Sequence, residues 1–486
     1  MDYEIVIGLE VHAQLQTRSK MFCGCSSDYA GAEPNSHVCP VCLGMPGVLP
    51  VINEQAVRYT IMTALALNCE IPGHSRFDRK NYPYPDLVKG YQISQYDMPL
   101  SRNGWLDVEV NGDSRRIGIT RVHLEEDTAK LVHRSSITGE QYSLVDVNRS
   151  GVPLMEIVSE PDIRSAEEAR QYLIKLRNIL LYLRVSTGNM EEGSYRCDAN
   201  ISLRPKGSQT LMAKVEVKNM NSFKAVFQAL EYEAQRQKKA LAQGERIIQE
   251  TRGWVDDKGI TVSQRSKEFA HDYRYFPEPD LPPLIVSREW VEELRARVPE
   301  LPDARKQRFV TRFGFSTYEA GILTSSREMA DYFEKCVSEA KAGQNSTARS
   351  ISNWLQGDFS YLLKEKGIEL SQVKVAPFHL AELVGLQESG QVGGPAAKVI
   401  FAEMFETGEP PSIIMQKRGL GQISGTSELE QIVERVLADN KAAVEDFKAG
   451  KAQALTFLMG QVMKATRGRA NPGVAGQLIK NKIGKE

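Results

Sequence analysis

The chain has 486 residues, of which 41% are hydrophobic and 25% charged, as in an ordinary globular protein. Its 61 basic and 62 acidic side chains give a net charge of −1, which excludes a strong overall attraction to nucleic acid. No apolar run reaches the roughly 18 residues that span a bilayer, and no secretory signal is visible at the N-terminus. We therefore expect about two to four domains in a cytoplasmic protein without membrane contact.

The first predicted element is a strand over residues 3–15 that carries two chemically active side chains. Read with period two, apolar residues occupy one face, while Glu10 and His12 project together from the other. A solvated polar face would explain this pair taken alone. Later strands also carry charged side chains on the polar face of an alternating pattern, which favours a functional site.

Four of the seven cysteines form two close pairs, Cys23 with Cys25 and Cys39 with Cys42. Two such pairs joined by a short loop can supply the four thiolates of a tetrahedral zinc site. That site would be structural, because it leaves no open position for a substrate. Redox-active or plain structural cysteines are the alternative interpretation. The other three cysteines are scattered along the chain, and the seven together do not resemble a disulfide framework. This fits a reducing compartment.

Two further strands carry candidate acidic ligands. In the first, Glu125 lies beside His123 on the polar face, and the run Glu125, Glu126 and Asp127 needs cations to offset its repulsion. Period two places Glu126 on the opposite face, so Glu125 is the preferred ligand. Glu156 lies inside an otherwise apolar strand, where a carboxylate is either paired or bound to a metal. The alternative for Glu156 is an edge strand.

The next two predicted strands read as an antiparallel pair with charges of both signs on the open face. Arg196 and Asp198 lie on the first strand, and Glu216 and Lys218 lie on the second. This face is either an ordinary solvated surface or the lining of a cleft for phosphate and metal.

From Ser287 onward helical periodicity dominates, with joints at residues 393–395 and 409–411. The predicted fold class is therefore α+β: an N-terminal antiparallel sheet with flanking helices, followed by all-helical regions. The last stretch is basic and includes Lys464, Arg467 and Arg469. Such a cluster on a neutral chain indicates a polyanion contact or a solvated tail.

No P-loop, GxGxxG or GxSxG motif is present. The carboxylates Glu10, Glu125 and Glu156, together with His12, would instead suit Mg²⁺, which prefers oxygen ligands and bridges phosphates. Basic side chains on the same faces would hold phosphate oxygens. These parts indicate phosphoryl transfer, in which catalysis is mainly positioning and charge neutralisation.

Several long motifs make the chain resemble the GatB family, the B subunits of aspartyl/glutamyl-tRNA amidotransferases. The resemblance rests on the four paired cysteines and on residues 7–12, 123–127, 146–157, 193–200, 216–223, 271–280 and 460–472. It implies a cradle-shaped catalytic domain at 1–292 with the zinc insertion, a helical domain at 293–406 and a tRNA-contacting tail at 407–486. The family's Mg²⁺ ligands would correspond to His12, Glu125 and Glu156, with Glu10 close by.

The resemblance also implies a reaction and partners. ATP would phosphorylate the side-chain carboxylate of glutamate or aspartate misacylated to tRNA(Gln) or tRNA(Asn), and ammonia would displace the phosphate. A glutaminase partner (GatA) would supply the ammonia through a channel, and a small partner protein (GatC) would complete a heterotrimer. The choice between the two misacylated tRNAs, the adenine-binding residues, the channel entrance and the docking of a synthetase are left open.

Two other classes compete with this interpretation. A non-catalytic RNA-binding protein would explain the cysteines and the basic end, but it leaves the three glutamates without a role. A metal-dependent phosphotransferase acting on a small molecule would explain the glutamates and leave the basic end without a role. ATP hydrolysis that depends on misacylated tRNA separates all three classes.

Overall fold

The computed structural model describes residues 2–266, 273–340, 344–421, 426–466 and 469–484. It divides into two compact units, Met1–Leu301 and Pro302–Glu486. The first unit combines sheets with helices, and the described part of the second is helical, so the predicted α+β class is confirmed.

The strands of the first unit follow one another along the chain as β1 (Tyr3–Gln14), β2 (His74–Ser75), β3 (Asp78–Asn81), β4 (Tyr91–Ser94), β5 (Ser101–Val110), β6 (Asp113–Glu126), β7 (Lys130–Ser135), β8 (Gln141–Asp146), β9 (Pro153–Ser159), β10 (Tyr195–Pro205), β11 (Val215–Lys218), β12 (Glu250–Val255), β13 (Ile260–Ser266), β14 (Phe276–Pro277) and β15 (Leu284–Ile285). Its helices are α1 (Glu54–Ala66), α2 (Ala166–Leu183), α3 (Phe223–Ala242) and α4 (Arg288–Arg297).

Eight strands form the main sheet in the order β13-β12-β11-β10-β1-β9-β6-β5. Strand β1 lies in its middle and pairs antiparallel with β10 on one side and β9 on the other. Strand β9 also pairs antiparallel with β6. Strand β11 pairs antiparallel with β10, as the alternating pattern of these two strands predicted. The parallel pair β11–β12 breaks this arrangement. Smaller sheets join β14, β3 and β4, β15 with β2, and β7 with β8.

Helices cover the apolar face of the main sheet. Ser165 caps the N-terminus of α2, where its hydroxyl accepts a hydrogen bond from the Glu168 amide at 3.1 Å, and Ser222 caps α3 in the same way. The stripe of α2 that includes Leu173 and Leu176 is fully buried, as its helical spacing predicted. The polar face of β1 is therefore the face that remains for chemistry.

The helices of the second unit are α5 (Pro302–Phe313), α6 (Thr317–Leu323), α7 (Arg327–Glu339), α8 (Gln344–Trp354), α9 (Ser360–Lys366), α10 (Pro377–Glu388), α11 (Gly394–Thr407), α12 (Pro411–Arg418), α13 (Thr426–Asp439), α14 (Lys441–Lys448), α15 (Ala452–Ala465) and α16 (Pro472–Ile483). They pack around two separate hydrophobic cores. Phe309, Phe333 and Phe401 belong to the first core, and Leu458 and Ile479 belong to the second. None of the helices that the structure describes is long and apolar enough to cross a membrane.

Candidate functional site

Three strands bring His12, Glu125 and Glu156 together. His12 on β1 lies opposite Glu156 on β9, and Glu156 lies opposite His123 on β6. The His12 Nε2 atom is 3.4 Å from Oε1 of Glu125 and 3.5 Å from Oε2 of Glu156. One ligand atom from each of His12, Glu125 and Glu156 lies within 4.8 Å of the others. A nitrogen and two carboxylates at such separations can hold a divalent cation.

The electrostatics of the three groups explain how two carboxylates can be buried together. Burial opposes protonation of His12, but the hydrogen bonds and charges of Glu125 and Glu156 outweigh it and raise its pKa to about 10. Burial tends to raise the pKa of Glu156, yet His123 and His12 hold that pKa well below its usual range. An imidazolium therefore neutralises part of the buried negative charge.

Glu10 lies further along the same face of β1, outside the group of three. Its carboxylate accepts a hydrogen bond from the Asn200 side chain at 2.9 Å. Burial, followed by the charge of Glu156, raises the pKa of Glu10. Glu10 is thus close enough to Glu156 for their charges to interact, while its carboxylate is hydrogen-bonded to Asn200.

The three consecutive acids after Leu124 are all buried and have different partners. Glu125 faces His12, whereas Glu126 forms an ion pair with Lys89 and accepts the Ile93 amide at 3.0 Å. The Asp127 carboxylate accepts hydrogen bonds from both terminal nitrogens of Arg196, each at 3.1 Å. The cations that offset this acidic run therefore include Lys89 at Glu126, Arg196 and Arg149 at Asp127, and His12 at Glu125.

The remaining predicted lining residues form a second charged group on β10 and β11. Lys218 donates to Asp198 at 2.7 Å and lies 3.4 Å from Glu216. Glu216 also accepts the Thr251 hydroxyl at 2.8 Å. Burial opposes the Lys218 charge, but Asp198 and Glu216 outweigh it and raise the pKa of Lys218. These side chains continue the charged face from Glu10, whose pKa Asp198 and Glu216 also raise.

Sequence reasoning missed Lys80 on β3. Its ammonium lies 5.1 Å from the ring centre of Tyr273 and 5.9 Å from that of Tyr82. Burial opposes its charge, but Glu125 and Glu156 outweigh burial and raise the pKa of Lys80. The signal in the sequence was the density of Tyr, Arg and Lys over residues 76–91, which suggested a ligand-facing loop without singling out one residue.

Aromatic rings surround this lysine. Tyr273 packs edge-on against Tyr82 and Tyr275, and Tyr275 stacks on Tyr96 with ring centres 4.2 Å apart. Burial, opposed by the Lys80 charge, raises the pKa of Tyr275 to about 12. The rings thus form an aromatic wall beside the carboxylates, made of Tyr82, Tyr96, Tyr273 and Tyr275.

The four paired cysteines also converge. Their sulfur atoms all lie within 4.8 Å of one another, and the Sγ atoms of Cys39 and Cys42 are 3.9 Å apart. Tetrahedral zinc with bonds of about 2.3 Å separates its sulfur ligands by about 3.8 Å. The donor set and its spacing therefore fit zinc.

The basic residues of the C-terminal stretch lie near the end of α15. Lys464 is exposed, and Arg469 is half-buried with its Nε donating to the Thr466 carbonyl at 3.3 Å. Arg467 lies outside the described residues, as does the start of the 271–280 motif.

Comparisons with known proteins agree over both halves of the chain. The GatB/GatE catalytic domain family matches residues 5–292, and the GatB domain family matches residues 331–483. The chain is 60% identical to the aspartyl/glutamyl-tRNA(Asn/Gln) amidotransferase B subunit of Dehalococcoides mccartyi, covering 99% of each. It is 55% identical to that of Carboxydothermus hydrogenoformans (100% of this chain, 99% of the relative) and 56% identical to that of Thermomicrobium roseum (99% of each).

The sheet with its converged histidine and carboxylates thus belongs to the class of GatB/GatE catalytic domains. The identity of 55–60% to the three relatives, over almost the whole length of the chain, defines the family more narrowly. The chain belongs to the family of aspartyl/glutamyl-tRNA(Asn/Gln) amidotransferase B subunits, which confirms the resemblance seen in the sequence.

Proposed function

We propose that this protein is the component of a tRNA-dependent amidotransferase that activates the misacylated amino acid in the cytoplasm. Its substrate would be glutamate on tRNA(Gln) or aspartate on tRNA(Asn), and its products the corresponding amides. The observation that carries the proposal is the convergence of His12, Glu125 and Glu156 in a chain of this family. A non-catalytic RNA-binding protein would have no use for carboxylates buried against one another.

We propose the same three residues as ligands of Mg²⁺, with Glu10 close by. The two carboxylates are buried on either side of His12, and a proton on His12 offsets part of their charge. Bound Mg²⁺ would neutralise phosphate charge that otherwise repels a carboxylate substrate. His12 would have to release its proton to bind the metal through Nε2.

Activation would proceed in two balanced steps. A carboxylate oxygen of the misacylated amino acid attacks the γ-phosphorus of ATP, forming an O–P bond as the bond to the β-phosphate oxygen breaks and ADP leaves. Ammonia then attacks the carbonyl carbon of the acyl phosphate. A C–N bond forms, the C–O bond to phosphate breaks, and the nitrogen loses a proton. Without the first step the carboxylate has no good leaving group.

The basic side chains near the cluster support this chemistry. Lys80 and Lys218 each stand beside carboxylates and would meet phosphate or substrate oxygens once Mg²⁺ offsets part of that negative charge. Both terminal nitrogens of Arg196 donate hydrogen bonds to Asp127, which fixes the position of the guanidinium. We propose Arg196, Asp198, Glu216 and Lys218 as the lining of the phosphate and substrate cleft.

The rest of the chain would serve assembly and tRNA binding. We propose that residues 1–292 form the catalytic cradle, 293–406 a helical domain and 407–486 a tail that contacts tRNA through Lys464, Arg467 and Arg469. Structural zinc would occupy Cys23, Cys25, Cys39 and Cys42. The glutaminase GatA and the small protein GatC would complete the heterotrimer, the former supplying ammonia.

The test is ATP turnover by the assembled complex in the presence of each misacylated tRNA. Glu125→Gln should abolish formation of ADP and of the amidated tRNA while tRNA binding persists. The matched control is Glu70→Gln, because Glu70 is an exposed carboxylate paired with Arg102 on the same unit. ATP turnover by Glu125→Gln equal to that of the control would reject the proposed site.

A further inference from the structure

Lys20 is a buried cation at the edge of the cysteine loop. Only 1% of the residue is exposed, and its Nζ donates to the carbonyls of His37 at 2.8 Å and Val147 at 3.3 Å. Among the described residues, no carboxylate lies within ion-pair distance of this ammonium. A buried lysine held by neutral carbonyls alone is costly unless an uncompensated negative charge lies nearby.

The cysteine cluster supplies that charge. A zinc ion with four thiolates would carry two formal negative charges. The Lys20 and Cys42 side chains pack beside the same glycine, since a Cβ on Gly151 would lie 3.4 Å from Cδ of Lys20 and 3.7 Å from Cβ of Cys42, and the Lys20 charge acts on Cys42. The backbone amide of Lys20 also donates to the Cys25 carbonyl at 2.9 Å. Lys20 is therefore attached to the segments that contain the two cysteine pairs, through Cys25 and through His37.

The same loop is bonded to the turn that precedes β9. Asn148 accepts the His37 amide at 2.8 Å and donates to the Glu33 carbonyl at 2.7 Å. Asn35 accepts the Val147 amide at 2.7 Å. Asn148 is buried, so these bonds are shielded from water. The turn thus takes its conformation from the cysteine loop.

This turn also lies between the two strands that carry the candidate carboxylate ligands. The Gly151 amide donates to the Asp127 carbonyl at 2.9 Å, and the Asp127 amide donates to the Val152 carbonyl at 2.8 Å. Glu125 lies two residues before Asp127 on the chain, and β9 with Glu156 begins at Pro153. A displacement of the turn would therefore move both carboxylates.

We propose that Lys20 is a positioning residue that couples the zinc site to the catalytic strands. Its charge offsets the negative tetrathiolate, and its N–H groups hold the carbonyls of His37 and Val147 against each other. Zinc loading would then fix the turn over residues 146–151 and, through it, Glu125 and Glu156. This inference rests on the proposed zinc site, and it assigns a purpose to a loop that contributes no residue to the His12 cluster.

The first experiment measures zinc release from the full chain to a chromogenic chelator. Lys20→Met, which keeps most of the side-chain length and removes the charge, should release zinc about tenfold faster or more. Lys175→Met is the matched control, since Lys175 also donates to a backbone carbonyl, that of Asp107, in the same unit. Equal release rates for the wild type and Lys20→Met would overturn the proposal. Absence of zinc from the purified wild type would instead overturn the zinc site itself.

A second readout separates the charge from the hydrogen bonds. In the cobalt-substituted protein, loss of the Lys20 charge should shift the thiolate-to-cobalt absorption band to lower energy, because the sulfur electrons lose a stabilising cation. Asn148→Ala removes the two loop-to-turn bonds made by Asn148 and keeps the Lys20 charge, so it should leave that band in place. A band unmoved in Lys20→Met contradicts charge compensation.

If Lys20→Met does not fold, the wild type still tests the coupling. Hydrogen exchange of the amides at residues 146–151 should accelerate when zinc is removed by chelation, while amides of α2 stay protected. Unchanged protection of the turn after zinc removal would overturn the coupling.

Discussion

The side chains of His12 and Glu156 meet across paired strands, with Nε2 and Oε2 separated by 3.5 Å. The same Glu156 oxygen lies 3.4 Å from Nε2 of His123 on the other neighbouring strand. One carboxylate oxygen therefore interacts with two imidazoles. In metal-free protein a proton on His12 would supply the positive charge that a cation otherwise brings, which connects the proposed metal site to pH.

Glu156→Gln should lower the pKa of His12 in metal-free protein. The wild-type pKa is raised from 6.5 to about 10, and removing one carboxylate should lower it by about 1–3 pH units. Titration of histidine-labelled protein by NMR, with His12→Asn to assign the signal, measures this value. Glu70→Gln should leave it unchanged. A His12 pKa as high in Glu156→Gln as in the wild type would remove Glu156 from the interaction.

The sign of the linked stability effect follows from that raised pKa. His12 contributes stability that is fully present below its unfolded pKa near 6.5 and is lost as pH rises through about 10. Metal-free wild type should therefore lose thermal stability over this alkaline range. In Glu156→Gln this alkaline loss of thermal stability should be smaller and should be complete at a lower pH, because the His12 pKa is raised less.

Asp127→Asn should destabilise the first unit more than a typical surface change. Asp127 is buried and binds both terminal nitrogens of Arg196 and the Gln14 amide. Removing the carboxylate charge should cost about 2 kcal/mol, because the hydrogen-bond donors of the half-buried Arg196 lose their charged partner. Thermal unfolding measures the shift. The control is Asp107→Asn, whose exposed pair with Arg116 should contribute about 1 kcal/mol or less. Equal shifts in unfolding temperature for the two variants would show that the Asp127–Arg196 pair contributes no more to stability than the exposed pair.

The alternation of β1 allowed Glu10 and His12 to be predicted on one face, because side-chain direction in a strand depends only on sequence spacing. The register between strands was not accessible in this way. That His12 lies opposite Glu156 follows from how distant strands align in the antiparallel sheet, which packing of the whole apolar face decides. The need for cations beside Asp127 was predictable from its neighbours, but their identity required the same register.

Lys80 shows a different limit of sequence reasoning. It lies on β3, which belongs to a small sheet with β4 and β14 and has no alternating apolar pattern. Its position against Glu125 and Glu156 depends on how that sheet packs beside the main one. The cysteines were easier to predict, because metal coordination demands a spacing that the sequence displays directly.

Lys80→Met should lower amidotransferase turnover by about 100-fold while the proposed metal site stays occupied. The reason is that Lys80 is the cation placed between the aromatic wall and the two carboxylates, where phosphate charge would accumulate. Steady-state kinetics of the assembled complex and Mn²⁺ binding followed by electron paramagnetic resonance measure the two effects. Lys175→Met should behave as wild type. Turnover unaffected in Lys80→Met would remove this lysine from the reaction.

The double variant Lys464→Ala with Arg469→Ala should weaken tRNA binding in a salt-dependent manner. Each phosphate contact contributes a slope of about −0.7 to −0.9 to the logarithm of the binding constant against that of the salt concentration. Loss of two contacts should therefore reduce the magnitude of the slope by about 1.5. Fluorescence anisotropy with labelled tRNA over a KCl series gives this slope. Lys417→Ala, in α12 and paired with Glu409, is the control. An unchanged slope in the double variant would show that these two residues do not contact tRNA phosphates, whatever happens to affinity at a single salt concentration.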